Sequence, residues 1–192
     1  MTDVFSVGTL SSLVAQAVEV GHRTGALVPI ATDLKVVHEE GLKFPVRVLG
    51  HFHKKLQDPT STAKQGNTNP FLPYDPNLFV SGISKTHLCL LNKYPILEGH
   101  LLIVTRTFEH QETLLTYEDF LAAWRCLTDY DGVVFYNNGP VAGASQKHKH
   151  LQLIPHPPEE GAESLPIAQL FKTGLPFRAG YFEYETSQET FN

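Results

Sequence analysis

Residues Asn137–Pro155, NNGPVAGASQKHKHLQLIP, hold the densest group of side chains that could do chemistry. Gly139, Gly143 and the small residues Ala142, Ala144 and Ser145 lead into His148, His150 and Gln152, which recur two apart. At strand spacing, side chains alternate between faces. The two imidazoles and the amide therefore point one way, while Lys149, Leu151 and Leu153 point the other. Small residues in the preceding turn let backbone N–H groups approach an anion closely. The Ser145 hydroxyl and the Gln146 amide add further donors.

Three chemistries fit this pattern. His-x-His on a strand is a common start to a zinc or iron site, and the other histidines (His22, His38, His51, His53, His87, His100, His110 and His156) could complete it. Glutamine is a poor metal ligand, however, and the glycine turn would then have no part. Alternatively, a neutral imidazole attacks phosphorus while the turn holds phosphate oxygens, which uses every residue type in the stretch. In the third reading the histidines are simply hydrogen-bonded on a sheet face. Spacing leaves all three open.

The elements that must position these residues are legible in outline. Leu10, Leu13, Val14, Ala17 and Val18 recur at helical spacing and Gly21 follows as a stop, which predicts a helix over 10–20. LVPIATDLKVVHEEG and FPVRVLG read as strands joined by a turn at Glu39–Gly41. The polar segment His53–Tyr74 reads as a long loop, either functional or a disordered insertion. LFVSGIS, THLCLLNKYP and GHLLIVT then predict an antiparallel meander. Thr116 opens a second helix with Asp119 at the capping-box position and apolar residues at Phe120, Leu121, Trp124 and Leu127. GVVFY and HKHLQLIP follow as strands, and YFEYET is a candidate last strand. Strands in runs with helices on one face indicate an α+β domain with an antiparallel sheet.

The 192 residues suit one domain, and 42% hydrophobic with 18% charged residues matches ordinary globular composition. No apolar run is long enough to cross a bilayer. An acid at Asp3 and no opening basic segment read as cytoplasmic. Cys89 and Cys126 lie in apolar stretches without metal-ligand spacing and read as buried free thiols. A net charge of -5 argues against a non-specific nucleic-acid binder. Any anion must then meet local cations: Lys54 with Lys55, Lys93, or Lys147 with Lys149.

The stretch also resembles the signature of the histidine-triad superfamily, in the form where glutamine replaces the third histidine. That form marks the transferase branch, which includes galactose-1-phosphate uridylyltransferase and the diadenosine tetraphosphate phosphorylases, or ATP adenylyltransferases. FPVRVL, NPFLPYDPNLFV, HLCLLNKYPILEGHLLIVTR, FYNNGP and GASQKHKHLQ are similar to the phosphorylases in particular, so the likeness runs from about Phe44 to Pro155. The zinc-binding cysteines and histidines of some uridylyltransferases are not recognisable.

The resemblance implies a histidine-triad-like fold over residues 1–192, with the C-terminal region of the phosphorylases short or missing. It makes His150 the nucleophile that attacks the α-phosphorus of diadenosine tetraphosphate, giving an adenylyl-histidine and ATP. Phosphate then releases ADP. Gln152 would hold a non-bridging oxygen and His148 would orient its neighbours by a hydrogen bond. Asn137, Gly143, Ala144, Ser145 and Gln146 match phosphate contacts, Asn92 a ribose contact with Lys93 beside it, and Lys54 a substrate-contacting lysine. Asn92 could instead cap its turn, and Lys54 could be a solvated charge.

No tightly bound metal is expected, with Mg2+ entering only on the substrate phosphates. The expected partners are diadenosine tetraphosphate, ATP, ADP and phosphate, with no nucleic acid and no membrane. Alternatives are a dinucleoside polyphosphate hydrolase and a non-catalytic nucleotide sensor on the same fold. Oligomeric state, base preference and physiological direction are not legible in the sequence.

Overall fold

The structure is a computed structural model that describes residues 4–39, 41–49 and 69–156. Lys54, Lys55, most of the His53–Tyr74 loop and the YFEYET stretch lie outside the described residues. The described chain divides into two compact units, one holding residues 4–33, 47–49 and 69–156, the other 34–39 and 41–46.

Strands β1 (Thr32–Glu39) and β2 (Leu42–Leu49) pair as a two-stranded ribbon. Gly41 at its turn has φ +83, a left-handed conformation that favours glycine. The first strand is shorter than its apolar pattern predicts. Val28 and Ile30 instead donate backbone N–H groups to the Lys93 and Pro95 carbonyls, at 2.8 and 2.9 Å.

The larger unit is built on five antiparallel strands: β3 (Phe79–Gly82), β4 (His87–Leu91), β5 (Leu101–Thr105), β6 (Gly132–Phe135) and β7 (His150–Pro155). Their order across the sheet is β3-β4-β5-β7-β6. The predicted meander is therefore β3 to β5, and β7 inserts between β5 and β6. Both helices, α1 (Leu10–Thr24) and α2 (Tyr117–Leu127), cover one face. There Cys89, Leu91, Leu101, Ile103, Leu151 and Leu153 pack with Leu10, Val14 and Ala17 of α1 and Ala122, Ala123 and Cys126 of α2. Each buried leucine contributes about 1.5–3 kcal/mol. The opposite face carries a smaller cluster of Leu88, Leu90, Leu102 and Val104 under Phe71. Because β4 and β5 are buried on both sides, they read as continuous apolar runs without alternation.

Two details differ from expectation. Helix α1 runs through Gly21 and stops at Gly25, whose φ of 72 is the left-handed cap. Gly21 is there for space, since a Cβ would stand 3.0 Å from the Leu27 Cβ. Helix α2 has the expected capping box between Thr116 and Asp119. It turns Ala122, Ala123 and Cys126 to the sheet, while Leu121, Trp124 and Leu127 are half-buried and Phe120 is 59% exposed. Small side chains let the helix lie close, and the large ones flank the contact. Cys89 and Cys126 are free and buried as predicted, and a hydrogen bond donated by the Cys89 thiol to Cys126, together with burial, pushes the Cys89 thiol up.

Candidate active site

The face away from the helices opens into a cleft of about 930 Å³. Strand β7 supplies its floor. Leu102 pairs with Gln152 and Val104 with His150, so alternation carries His150 and Gln152 onto the cleft side. His148, just before β7, reaches the same side through an isolated bridge to His110. All three line the cleft, as their spacing predicts.

The His150 ring is fixed by its own chain. Nδ1 lies 2.8 Å from the His148 backbone carbonyl, which can only accept, so Nδ1 carries the proton and Nε2 the free lone pair. Burial lowers the His150 pKa, opposed in part by that carbonyl, so the ring is neutral near pH 7. A neutral imidazole with a directed Nε2 is a competent nucleophile.

His148 touches its neighbour His150 through this backbone oxygen. Its Nε2 donates to the Thr105 carbonyl at 2.9 Å, and its Nδ1 meets the Asn69 amide nitrogen at 2.8 Å. Both nitrogens are thus engaged, and burial lowers the His148 pKa despite the bond to Thr105. The pair does not present two free imidazole nitrogens to a common ion.

The glycine turn is more self-contained than an open anion nest. Ala142 and Ala144 N–H donate to the Gly139 carbonyl, and Gly143 N–H donates to that of Pro140. Gly139 and Gly143 take φ values of 80 and 95, which the turn requires. Gly143, Ala144, Ser145 and Gln146 all line the cleft. The hydroxyl of Ser145 and the amide of Gln146 are side-chain donors on this wall of the cleft. Asn137 stands behind the turn, its amide nitrogen 3.7 Å from where a Gly143 Cβ would be.

Asn92 and Lys93 also line the cleft. The Asn92 carbonyl oxygen accepts from Tyr94 N–H at 3.1 Å, which is the turn-capping role, and its amide nitrogen faces His100 Nδ1 at 3.2 Å. The structure thus gives Asn92 both a cap and a place on the wall. Lys149 leaves the list of anion contacts: it is fully buried on the helix side, with Nζ 2.5 Å from Asp119 and 3.4 Å from Glu109. Lys93 and Lys147 remain as exposed cations at the rim.

Residues 1–173 match the family described as Ap4A phosphorylase N-terminal domain. The chain belongs to that family. It is 28% identical over 160 residues to Protein APA1 of Saccharomyces cerevisiae, covering 77% of this chain and 50% of that protein. It is 33% identical over 159 residues to diadenosine 5',5'''-P1,P4-tetraphosphate phosphorylase 2 of the same yeast, covering 65% of this chain and 45% of that one. Its fold is that of yeast Ap4A phosphorylase Apa2: the Apa2 structure in complex with Ap4A gives a TM-score of 0.68 at 24% identity, covering 96% of this chain and 61% of that one. The complex with AMP gives the same TM-score and identity over 89% and 56%. The chain spans about half the length of the curated relatives it matches. The α+β, histidine-triad-like architecture expected from the sequence is therefore the one this family adopts.

Within this family fold, several supporting residues are not legible as site residues in the sequence. Gln111, 2% exposed, accepts from His150 N–H at 2.8 Å and donates to the Asn137 carbonyl at 2.8 Å and the His150 carbonyl at 3.1 Å. One buried amide thereby ties β7 to the start of the glycine turn. Asn69, Thr105 and Phe71 likewise fix the histidines, Phe71 with its ring 5.1 Å from that of His150. Each comes from a distant segment, so only the folded sheet brings it to the triad.

Proposed function

We propose that the protein phosphorolyses diadenosine tetraphosphate to ADP and ATP through an adenylyl group carried on His150. The observation that carries this is the His150 tautomer: a carbonyl on Nδ1 leaves the Nε2 lone pair in a cleft walled by the Gly143–Gln146 turn and Gln152. In the first step Nε2 bonds to the α-phosphorus and the bridging P–O bond breaks, so ATP leaves with that electron pair. In the second an oxygen of inorganic phosphate bonds to the same phosphorus, the P–N bond breaks, and ADP forms. Gln152 holds a non-bridging oxygen in both steps. An amide cannot protonate a leaving group as an imidazolium can, which suits a polyphosphate that departs as an anion. The names of the yeast relatives support the same reaction.

Asn92 is assigned to a ribose hydroxyl, and Lys93, with Lys54, to the phosphate chain. Magnesium, where present, is assigned to the substrate phosphates. Product analysis tests the reading. Incubation with diadenosine tetraphosphate and phosphate should yield ADP and ATP in equal amounts, with an acid-labile adenylyl-enzyme trapped when phosphate is left out. AMP plus ATP without phosphate dependence would make the protein a hydrolase, and binding without turnover would make it a sensor.

A further inference from the structure

His100 lies immediately before β5 and is 5% exposed. The Asn92 amide beside it has its orientation set, because its oxygen accepts from Tyr94 N–H. The nitrogen of that amide therefore faces His100 Nδ1, at 3.2 Å. A donor on Nδ1 makes Nδ1 the lone-pair atom and places the proton of the neutral ring on Nε2. That Nε2 is buried and has no hydrogen-bond partner among the described residues. Burial holds the ring neutral, lowering its pKa to about 4, a fall that Gln152 opposes in part. His100 shares a sheet face with Leu102, and Leu102 is paired with Gln152, so ring and amide are diagonal neighbours. A buried donor beside an amide oxygen is completed by a small rotation of that amide.

We propose that His100 is a positioning residue whose Nε2–H donates to the Gln152 side-chain carbonyl while its Nδ1 accepts from Asn92, so that one neutral imidazole orients both amides. With its oxygen turned down to His100, Gln152 presents its NH2 group to the cleft, where a phosphate oxygen can accept. Without His100 the two ends of the Gln152 amide are equivalent in size, and the flipped form would set an oxygen against the phosphate. Asn92 is held by the same ring, so the walls at β4 and β7 move together. The inference rests on the phosphorolysis reading only for what Gln152 contacts.

Imidazole nitrogen NMR on the unmodified protein at pH 7 tests the tautomer without any activity. A neutral ring with Nε2–H is expected, and an Nδ1–H or doubly protonated ring overturns the proposal. In turnover, His100→Leu should lower kcat roughly 10- to 100-fold with KM within about threefold, as misplacement near the reacting atoms does. His100→Gln, which can bring an N–H donor to the same place, should recover most of that loss. In a Gln152→Ala background, His100→Leu should cost no more than about twofold further, because coupled residues are not additive. Full additivity, or equal loss in the Gln and Leu variants, overturns it. Should the unmodified protein neither phosphorolyse nor hydrolyse the dinucleotide, the functional reading fails. The NMR result and the same double-mutant cycle read on AMP binding then decide the role of His100.

Discussion

The two faces of the central sheet bury polar groups by opposite means. On the helix side, Lys149 stays charged and is paired with Asp119, which also accepts from His87 at 2.9 Å and caps α2. Burial opposes both charges. The partners outweigh it, raising the Lys149 pKa and holding the Asp119 carboxyl well below its usual range. On the cleft side, one residue away in either direction, His148 and His150 are buried without a charged partner and remain neutral. Charge is therefore kept where it is locked, and lone pairs are kept where they can react. On the phosphorolysis reading, a polyanionic substrate would meet a β7 floor with no permanent charge, and among the described cleft residues its attraction would fall to Lys93 and Lys147.

The sharpest way to break this comparison is to remove one residue from each face. On the reading of His150 as nucleophile, His150→Ala should reduce turnover by at least about 10⁴-fold. Its melting temperature should stay within a few degrees, since no buried charge is orphaned. Full activity in that variant would sink the nucleophile assignment. Asp119→Ala should do the reverse. It removes the close partner of Lys149, leaving only Glu109 at 3.4 Å, and takes away the Asp119 half of the α2 capping box, which should cost about 3–5 kcal/mol in urea unfolding. Adding Lys149→Met should return a large part of that stability, because the unpaired charge is gone. A single and a double variant of equal stability would show that Lys149 was not held by its pairing.

How much of this the sequence reveals depends on the range of the interaction. Strand alternation alone assigns His148, His150 and Gln152 to one face and Lys149 to the other, and the Thr116–Asp119 capping box is a local pattern. Both appear in the fold as read. Gln111 and Asn69 are different. Each is an ordinary polar residue in its own segment, and its bonds to His150 or His148 join positions 39 and 79 residues apart. The role of Asp119 as partner to Lys149 and His87 is hidden for the same reason. Gly21 misleads because glycine signals both a helix stop and a close crossing, and only the contact with Leu27 separates the two. The turn at Gly143 shows the limit of composition: small residues permit an anion nest, but the amides of Ala142, Gly143 and Ala144 are spent within the turn.

Acid should separate the two faces by pH. His100, with a folded pKa of about 4 against an ordinary 6.5, binds its proton more readily in the unfolded chain, and the lowered pKa values of His148 and His150 act in the same direction. Their share of stability is thus fully present above pH 6.5 and falls as pH drops toward 4. For His100 the upper bound is about 3 kcal/mol, reduced by whatever water reaches the ring. Asp119 has a depressed carboxyl, so its share is present above its ordinary value of 3.8 and is lost only at lower pH. Thermal melts from pH 7.5 to 3 should show two successive declines, the cleft-side histidines first and the helix-side ion pair second. His100→Gln should reduce the upper decline, leaving the share of His148 and His150, and should leave the lower one in place. A profile level from pH 6.5 to 4.5 would mean that the buried imidazoles are solvated well enough to titrate normally, and the contrast between the two faces would fail on the cleft side.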